Sequence, residues 1–305
     1  LRVIGFRHQR TLAAPIEIEG VGFVTGARVR VRLLPARPDS GRVFTRVDEP
    51  AAPKIPAHTN FVTGTQRRTT LGSPAHGVTL VEHLLSALAG LRVDNCVIEI
   101  DGPEPPGLDG SSRGYVDAVI AAGVIEQPAR RPVWTVPTPV VVSAGGATIG
   151  LHPAPGTEGL RASYLLDYGP VAPIPRQGCT VEVTPAEYVR EVSACRTFVT
   201  DAEAVALRAQ GVGRHLSPSD LLVFGSRGVI DNRLRFADEP ARHKILDLVG
   251  DLALCGFDLA GHVVAYRSGH ALNVDLARRL THLATAAARS APALRLPHRA
   301  VARAA

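Results

Sequence analysis

At 305 residues the chain is long enough for two ordinary domains or one large one. A hydrophobic fraction of 45% beside 20% charged residues describes a folded protein and excludes a disordered one. The net charge of +6 comes from arginines spread along the whole length, with no basic run interleaved with aromatics. That pattern argues against a nucleic-acid partner and for a solvated surface that can attract an anionic ligand.

Short alternating runs broken by turn residues fill positions 1–125. Ala27–Leu34 (ARVRVRLL) and Cys96–Ile100 (CVIEI) read as strands. A helix is expected from Thr79 to about Gly90 (TLVEHLLSALAG), stopped by its glycine, and another from Ser112 to Ala122, before Gly123. The charged, proline-bearing stretch 126–132 (EQPARRP) reads as an interdomain linker. Beyond it, residues 133–290 repeat the pattern. Strands are expected at Val136–Val142, Thr180–Val183 and Gly261–Tyr266, and helices at Pro185–Ser193, Pro240–Leu254 and Asn273–Ala288. Residues 201–224 read as an insertion rich in Ala, Gly and Leu. The arginine-bearing tail 291–305 has no amphipathic period and is expected to be disordered. Each half thus reads as a sheet with helices on one face, an α+β fold. No apolar run approaches the roughly 18 to 20 residues that span a bilayer, and no signal peptide opens the chain. Cys96, Cys179, Cys195 and Cys255 lack CxxC spacing and read as buried thiols in a reducing cytosol.

Chemistry concentrates in the run DEPARHKILDLVGDLAL (238–254), where His243, Asp247 and Asp251 recur every fourth residue and share one helical stripe. Ile245, Leu246, Leu248, Val249 and Leu252 occupy the other faces, so the stripe reads as buried rather than as a solvated face. Unpaired buried charge costs on the order of several kcal/mol, and a metal ion would compensate it. A His and a carboxylate at i, i+4 can ligate one ion from a single helix face. In the first half, Glu82 and His83 interrupt an apolar helix. Taken alone, Glu82 fits a capping box with Thr79, and His83 fits a core histidine. Beside the His243–Asp247 pair, His83 becomes a natural third ligand. Two His and one carboxylate leave a position open for water, as catalytic zinc requires, and the same set suits iron(II).

Ser268-Gly269-His270-Ala271 puts a histidine on a tight turn at a strand end, placed to project into a cleft or to sit on a surface loop. Cys195-Arg196-Thr197-Phe198 sets a hydroxyl beside an aromatic, as a site wall or as plain packing. Lys244, one of only two lysines with Lys54, adjoins His243. The turns Gly20-Val21-Gly22 and Gly107-Leu108-Asp109-Gly110 lack phosphate-loop spacing.

Taken together, VEHLLSALAGLRVDN (81–95), LDGSS (108–112), RTF (196–198), the 238–254 run and SGHALN (268–273) occur in one order that resembles the UDP-3-O-acyl-N-acetylglucosamine deacetylases. These are zinc amidases that commit a cell to lipid A synthesis. The resemblance implies two similar α/β sandwich domains with their sheets outside, helices packed between them and the active site at the domain junction. It implies His83, His243 and Asp247 as zinc ligands, Glu82 as general base and His270 as the catalytic histidine opposite it. Thr197 matches a hydroxyl that meets the developing oxyanion, and Asp251 the carboxylate that orients and charges His270. Lys244, Phe198 and Gly269 match substrate-contacting positions. The implied reaction releases acetate from UDP-3-O-acyl-N-acetylglucosamine in the cytoplasm. A monomer is expected, with transient approach to a membrane only through the acyl chain. Two departures stand out. Val24, in Gly22-Phe23-Val24-Thr25-Gly26, replaces the histidine of the family's Gly-Leu-His-Ser-Gly turn. Arg214, His215 and Pro218 fall in the region that forms the family's acyl passage. The rival readings are a homologous deacetylase of a related amidated sugar and a metal- or nucleotide-sugar-binding protein without turnover, which would need neither Glu82, Thr197 nor His270.

Overall fold

The alternation in Arg28–Pro35 buries Val29, Val31 and Leu33 on one face and turns Arg28, Arg30 and Arg32 to solvent. One-sided burial of this kind produces sheets that need helices on a single face. In the computed structural model, which describes residues 1–156, 159–218 and 220–290, two five-stranded sheets carry the core. The first runs Ile16–Val21, Arg28–Pro35, Cys96–Ile100, Arg42–Arg46, Ile55–Pro56 in spatial order, with one parallel pair between Arg42–Arg46 and Cys96–Ile100. The second runs Val140–Ala144, Ala147–His152, Gly261–Tyr266, Leu160–Leu166, Gln177–Glu182, and its parallel pair joins Leu160–Leu166 to Gly261–Tyr266. In each sheet the central strand is the last of the five in sequence. The two sheets therefore share one order and one sense, and the fold is α+β.

Six helices accompany them among the described residues: α1 (Glu82–Gly90), α2 (Arg113–Ala122), α3 (Pro185–Glu191), α4 (Asp201–Ala209), α5 (Glu239–Leu252) and α6 (His270–Ser290). Helices α5 and α6 pack on each other and on the second sheet, α2 packs on the first, and α1 lies against α5. Small residues let α1 and α5 approach closely. A Cβ on Gly250 would stand 2.1 Å from the Glu82 carbonyl oxygen, and the Ser86 hydroxyl donates to the Leu246 carbonyl at 2.7 Å. That contact is what brings residues of the two halves into one site.

Local expectations needed correction where proline or tertiary pairing decided the backbone. Residues 126–132, read as a linker, lie inside an ordered strand, Val124–Thr135, paired antiparallel with Arg2–Leu12. The ladder jumps from Gln9↔Gln127 to His8↔Arg130, and that bulge takes Pro128 out of the pairing. Pro137 and Pro139 break the strand expected at Val136–Val142, so one strand ends at Thr135 and the next begins at Val140. Helix α1 starts at Glu82 rather than Thr79, because Val78–Thr79 pairs as a strand with Thr70–Leu71. Within the stretch 201–224, α4 is capped by a Thr200–Glu203 capping box, and Leu222–Gly225 runs parallel to Phe198–Thr200. Helix α6 opens at His270, three residues before the expected start. All four cysteines are free and buried. The expectation for 291–305 lies outside the described residues.

Candidate active site

Helix α5 is buried over most of its circumference, and its polar stripe is buried with it: His243, Asp247 and Asp251 are 1%, 3% and 0% exposed. Those values exclude a solvent-facing stripe. Most of these groups find partners. The Asp251 carboxylate accepts from the Thr69 hydroxyl (2.6 Å) and from Asn273 Nδ2 (2.9 Å), and its Oδ2 stands 2.9 Å from His270 Nδ1. Asp247 Oδ2 accepts from Lys244 Nζ at 2.7 Å. Asp247 Oδ1 is different: it is buried with no hydrogen-bond partner.

That orphaned oxygen faces two imidazoles. His83 Nε2 stands 3.5 Å from it and His243 Nε2 3.4 Å, with the rings edge to face at 5.0 Å between centroids. His83, His243 and Asp247 each offer one ligand atom, all within 4.8 Å of one another. The ring of His243 is set by the Cys195 carbonyl, 3.0 Å from Nδ1, which places the proton there and leaves Nε2 a free lone pair. Burial pushes the His243 pKa down to about 3, so the ring is a neutral ligand. Burial would raise Asp247, but the Lys244 ammonium, and then His243, hold it well below the usual carboxylate range. A divalent ion fits this set. Ligand atoms around a tetrahedral zinc, at about 2.1 Å from it, stand roughly 3.4 Å apart. The spacing alone does not select zinc over iron(II).

Glu82, which precedes His83 on α1, does not cap its helix. Val81 is the N-cap without a side-chain bond, and Glu82 Oε2 accepts from the Thr69 amide at 3.0 Å. The capping-box reading is thereby set aside, and Glu82 Oε1 is left 3.8 Å from His270 Nε2. Burial raises the Glu82 pKa, against the pull of His270 and His83. Burial would lower His270, but the Asp251 charge, followed by Glu82, lifts it to about 9. The site thus sets a carboxylate made more basic by burial within 3.8 Å of a histidine held protonated, both lining one opening.

The opening is a cleft of about 650 Å³ lined by Glu82, His83, His243, Lys244, Asp247 and His270, while Asp251, Thr69 and Asn273 are not part of its lining. Thr197 lines it, its backbone N–H donating a hydrogen bond to the Gly110 carbonyl at 2.8 Å. Gly110 sits at φ +79°, and a Cβ there would meet the Asp220 carbonyl at 2.7 Å, which explains the glycine of the LDGSS run. The Phe198 ring stands edge-on to His243 at 6.0 Å and carries Lys244 Nζ 5.5 Å from its centroid. Gly269 borders the cleft with open space where a side chain would go. Leu207, Val212 and Leu216, from the 201–224 stretch, form an apolar wall. Val24 lines the same cleft, its turn held by Glu104, which accepts from the Val24 and Thr25 amides and the Thr25 hydroxyl.

All ten residues singled out from the sequence therefore converge on one place. Four contributors were given no role from the sequence. Thr69 bridges Glu82 and Asp251, Asn273 braces Asp251, the Cys195 carbonyl orients His243, and Gly250 permits the close helix contact. Only Gly250, a glycine inside a buried helix, could have been suspected.

A protein-family model described as UDP-3-O-acyl N-acetylglycosamine deacetylase matches residues 9–282. The chain is 42% identical over 272 residues to a UDP-3-O-acyl-N-acetylglucosamine deacetylase of Thermosynechococcus vestitus, covering 89% of this chain and 93% of that protein. A protein of the same name from Trichormus variabilis is 41% identical over 280 residues, with 90% and 99% covered. One from Myxococcus xanthus is 38% identical over 275 residues, with 90% and 86% covered. No helix among the described residues is long and apolar enough to cross a membrane.

Proposed function

The chain belongs to the UDP-3-O-acyl N-acetylglycosamine deacetylase family, and we propose from that premise how its cleft hydrolyses the acetamide of UDP-3-O-acyl-N-acetylglucosamine. The products are acetate and UDP-3-O-acyl-glucosamine, an early step of lipid A biosynthesis. The observation that carries the residue assignment is the orphaned Asp247 oxygen facing two histidine nitrogens, with His270 4.0 Å from the same carboxylate and 3.8 Å from Glu82.

His83, His243 and Asp247 would hold a divalent ion, zinc by preference. Such an ion supplies Lewis acidity, bringing a water's pKa towards about 7 and polarising the acetamide carbonyl. Glu82 takes the proton of the attacking water, its basicity raised by burial and its orientation set by the Thr69 amide. The Thr197 hydroxyl donates to the developing oxyanion. His270 carries a proton on Nε2, its charge balanced by Asp251, and delivers it to the leaving amine. Lys244 presents a compact cation to the substrate's phosphates, while Phe198 and Gly269 shape the sugar's place. The apolar wall of Leu207, Val212 and Leu216 receives the acyl chain. A monomer in the cytoplasm, touching the membrane only through that chain, completes the proposal.

The test is acetate release from the acylated UDP-sugar by zinc-loaded protein, with acyl lengths varied. Release with one length preferred is expected. No release at any length would overturn the substrate assignment.

A further inference from the structure

A second groove, of about 570 Å³, opens on another part of the molecule and shares no lining residue with the catalytic cleft. Four arginines, Arg7, Arg42, Arg92 and Arg131, border it. Two of them are neutralised. Arg7 forms a paired contact with Asp94 at 2.6 and 2.7 Å and also bonds Asp258, and Arg131 reaches Asp258 at 2.7 Å and Asp94 at 3.2 Å. The two carboxylates are used up by these contacts.

Arg42 and Arg92 are left over. Arg42 is 8% exposed, and only its Nε is bonded, to the Val93 carbonyl at 2.8 Å. Neither of its terminal nitrogens has a hydrogen-bond partner among the described residues, although a guanidinium has five donors to satisfy. The partly buried Arg92 side chain has no partner among the described residues either, and its backbone sits at φ +57°. Burial and the neighbouring arginines push the Arg42 pKa down to about 10, a sign that its charge is under-compensated. Four guanidiniums against two carboxylates leave two positive charges. The C-terminal ends of α1 and α5, which also border the groove, offset these by roughly half a charge each. Arg42 is buried along its stem, and its terminal donors, unmatched among the described residues, are open to whatever enters the groove.

We propose that this groove is a binding site for a phosphate group, held by the terminal nitrogens of Arg42 and Arg92. Arginine's planar donor fork matches phosphate oxygens, and a phosphate supplies one to two negative charges. Phe6, Val133 and Phe257 add apolar surface to the lining of the same groove, so an organic phosphate ester is favoured over the free ion. The inference does not rest on deacetylation, and its failure would leave that reading untouched.

Selenate serves as a phosphate mimic whose selenium can be located by anomalous scattering. Crystals soaked in selenate should show a peak within hydrogen-bond distance of the Arg42 and Arg92 guanidiniums. A peak only in the catalytic cleft, or none, overturns the site. In solution, the Arg42 side-chain NMR signals should shift on titration with inorganic phosphate and with glycerol phosphate. Arg92→Asn, a residue that tolerates positive φ, should weaken that binding about tenfold. A tighter ester supports the role of the apolar flank, and a tighter free ion removes it. Acetate binding as tightly as either phosphate, or affinity unchanged in Arg92→Asn, would refute the assignment.

Discussion

Gly250→Ala tests whether the contact of α1 with α5 is what aims the catalytic carboxylate. The added methyl would lie 2.1 Å from the Glu82 carbonyl oxygen, about 1.3 Å short of ordinary contact, and 2.9 Å from its carbonyl carbon. These are backbone atoms at the first residue of a helix, so no side-chain rotation relieves the clash. The start of α1 must move away by about 1 Å, carrying Glu82 and His83 relative to His243, Asp247 and His270. Alanine gains about 1 kcal/mol of helix propensity over glycine, whereas overpacking costs about 1–3 kcal/mol. Net destabilisation should therefore be small, up to about 2 kcal/mol, and the protein should stay folded. Catalysis should suffer more, because a misplacement of about 1 Å costs on the order of a hundredfold in rate. Acetate release measured beside denaturant unfolding separates the two effects. A folded variant with kcat within threefold of the parent would refute the argument that this contact positions Glu82.

Three further outcomes follow from particular contacts. Arg196→Met should destabilise by about 3–5 kcal/mol in urea, because the fully buried Glu239 loses a partner at 2.9 Å, and Arg196→Met/Glu239→Leu should recover much of the loss. Recovery absent in the double variant would show that the charge pair is not the cause. Burial alone would raise the Asp258 pKa, but Arg131 and then Arg7 hold it below the ordinary value. Its stabilisation is therefore present above about pH 4 and lost as pH falls through the lower folded value. Melting temperature against pH below 4 should fall less steeply in Asp258→Asn, and an unchanged slope would count against the linkage. His83→Ala/Asp247→Ala should lose its metal on dialysis, leaving His243 alone of the three ligands, and a full zinc complement would refute the site.

Much of the site was legible because its chemistry breaks local rules. Ionisable groups at every fourth position of an apolar helix, and Glu82-His83 inside another, are expensive unless something compensates them. What stayed hidden acts through backbone or through common residue types. The Cys195 carbonyl and the Thr69 amide are invisible in side-chain spacing, and Asn273, although it closes the SGHALN run, has no spacing that ties it to Asp251. The role of Glu82 was ambiguous for a similar reason, since Thr79 stood at capping-box distance until strand pairing removed it from the helix. At the level of the fold, the α+β pattern could be read from periodicity, whereas 126–132 could not, because Pro128 mimics a linker until a bulge accommodates it. The shared strand order of the two sheets depends on long-range pairing that no local run encodes.

The central claim, that Glu82 is the base beside a metal held by His83, His243 and Asp247, rests most directly on Glu82→Gln. The substitution keeps the shape and the ability to accept from Thr69 but removes the basic carboxylate. With metal content measured on the same sample, acetate release should fall roughly 10²–10⁴-fold while bound metal stays at the parent level. Release undiminished at full metal occupancy would contradict the account.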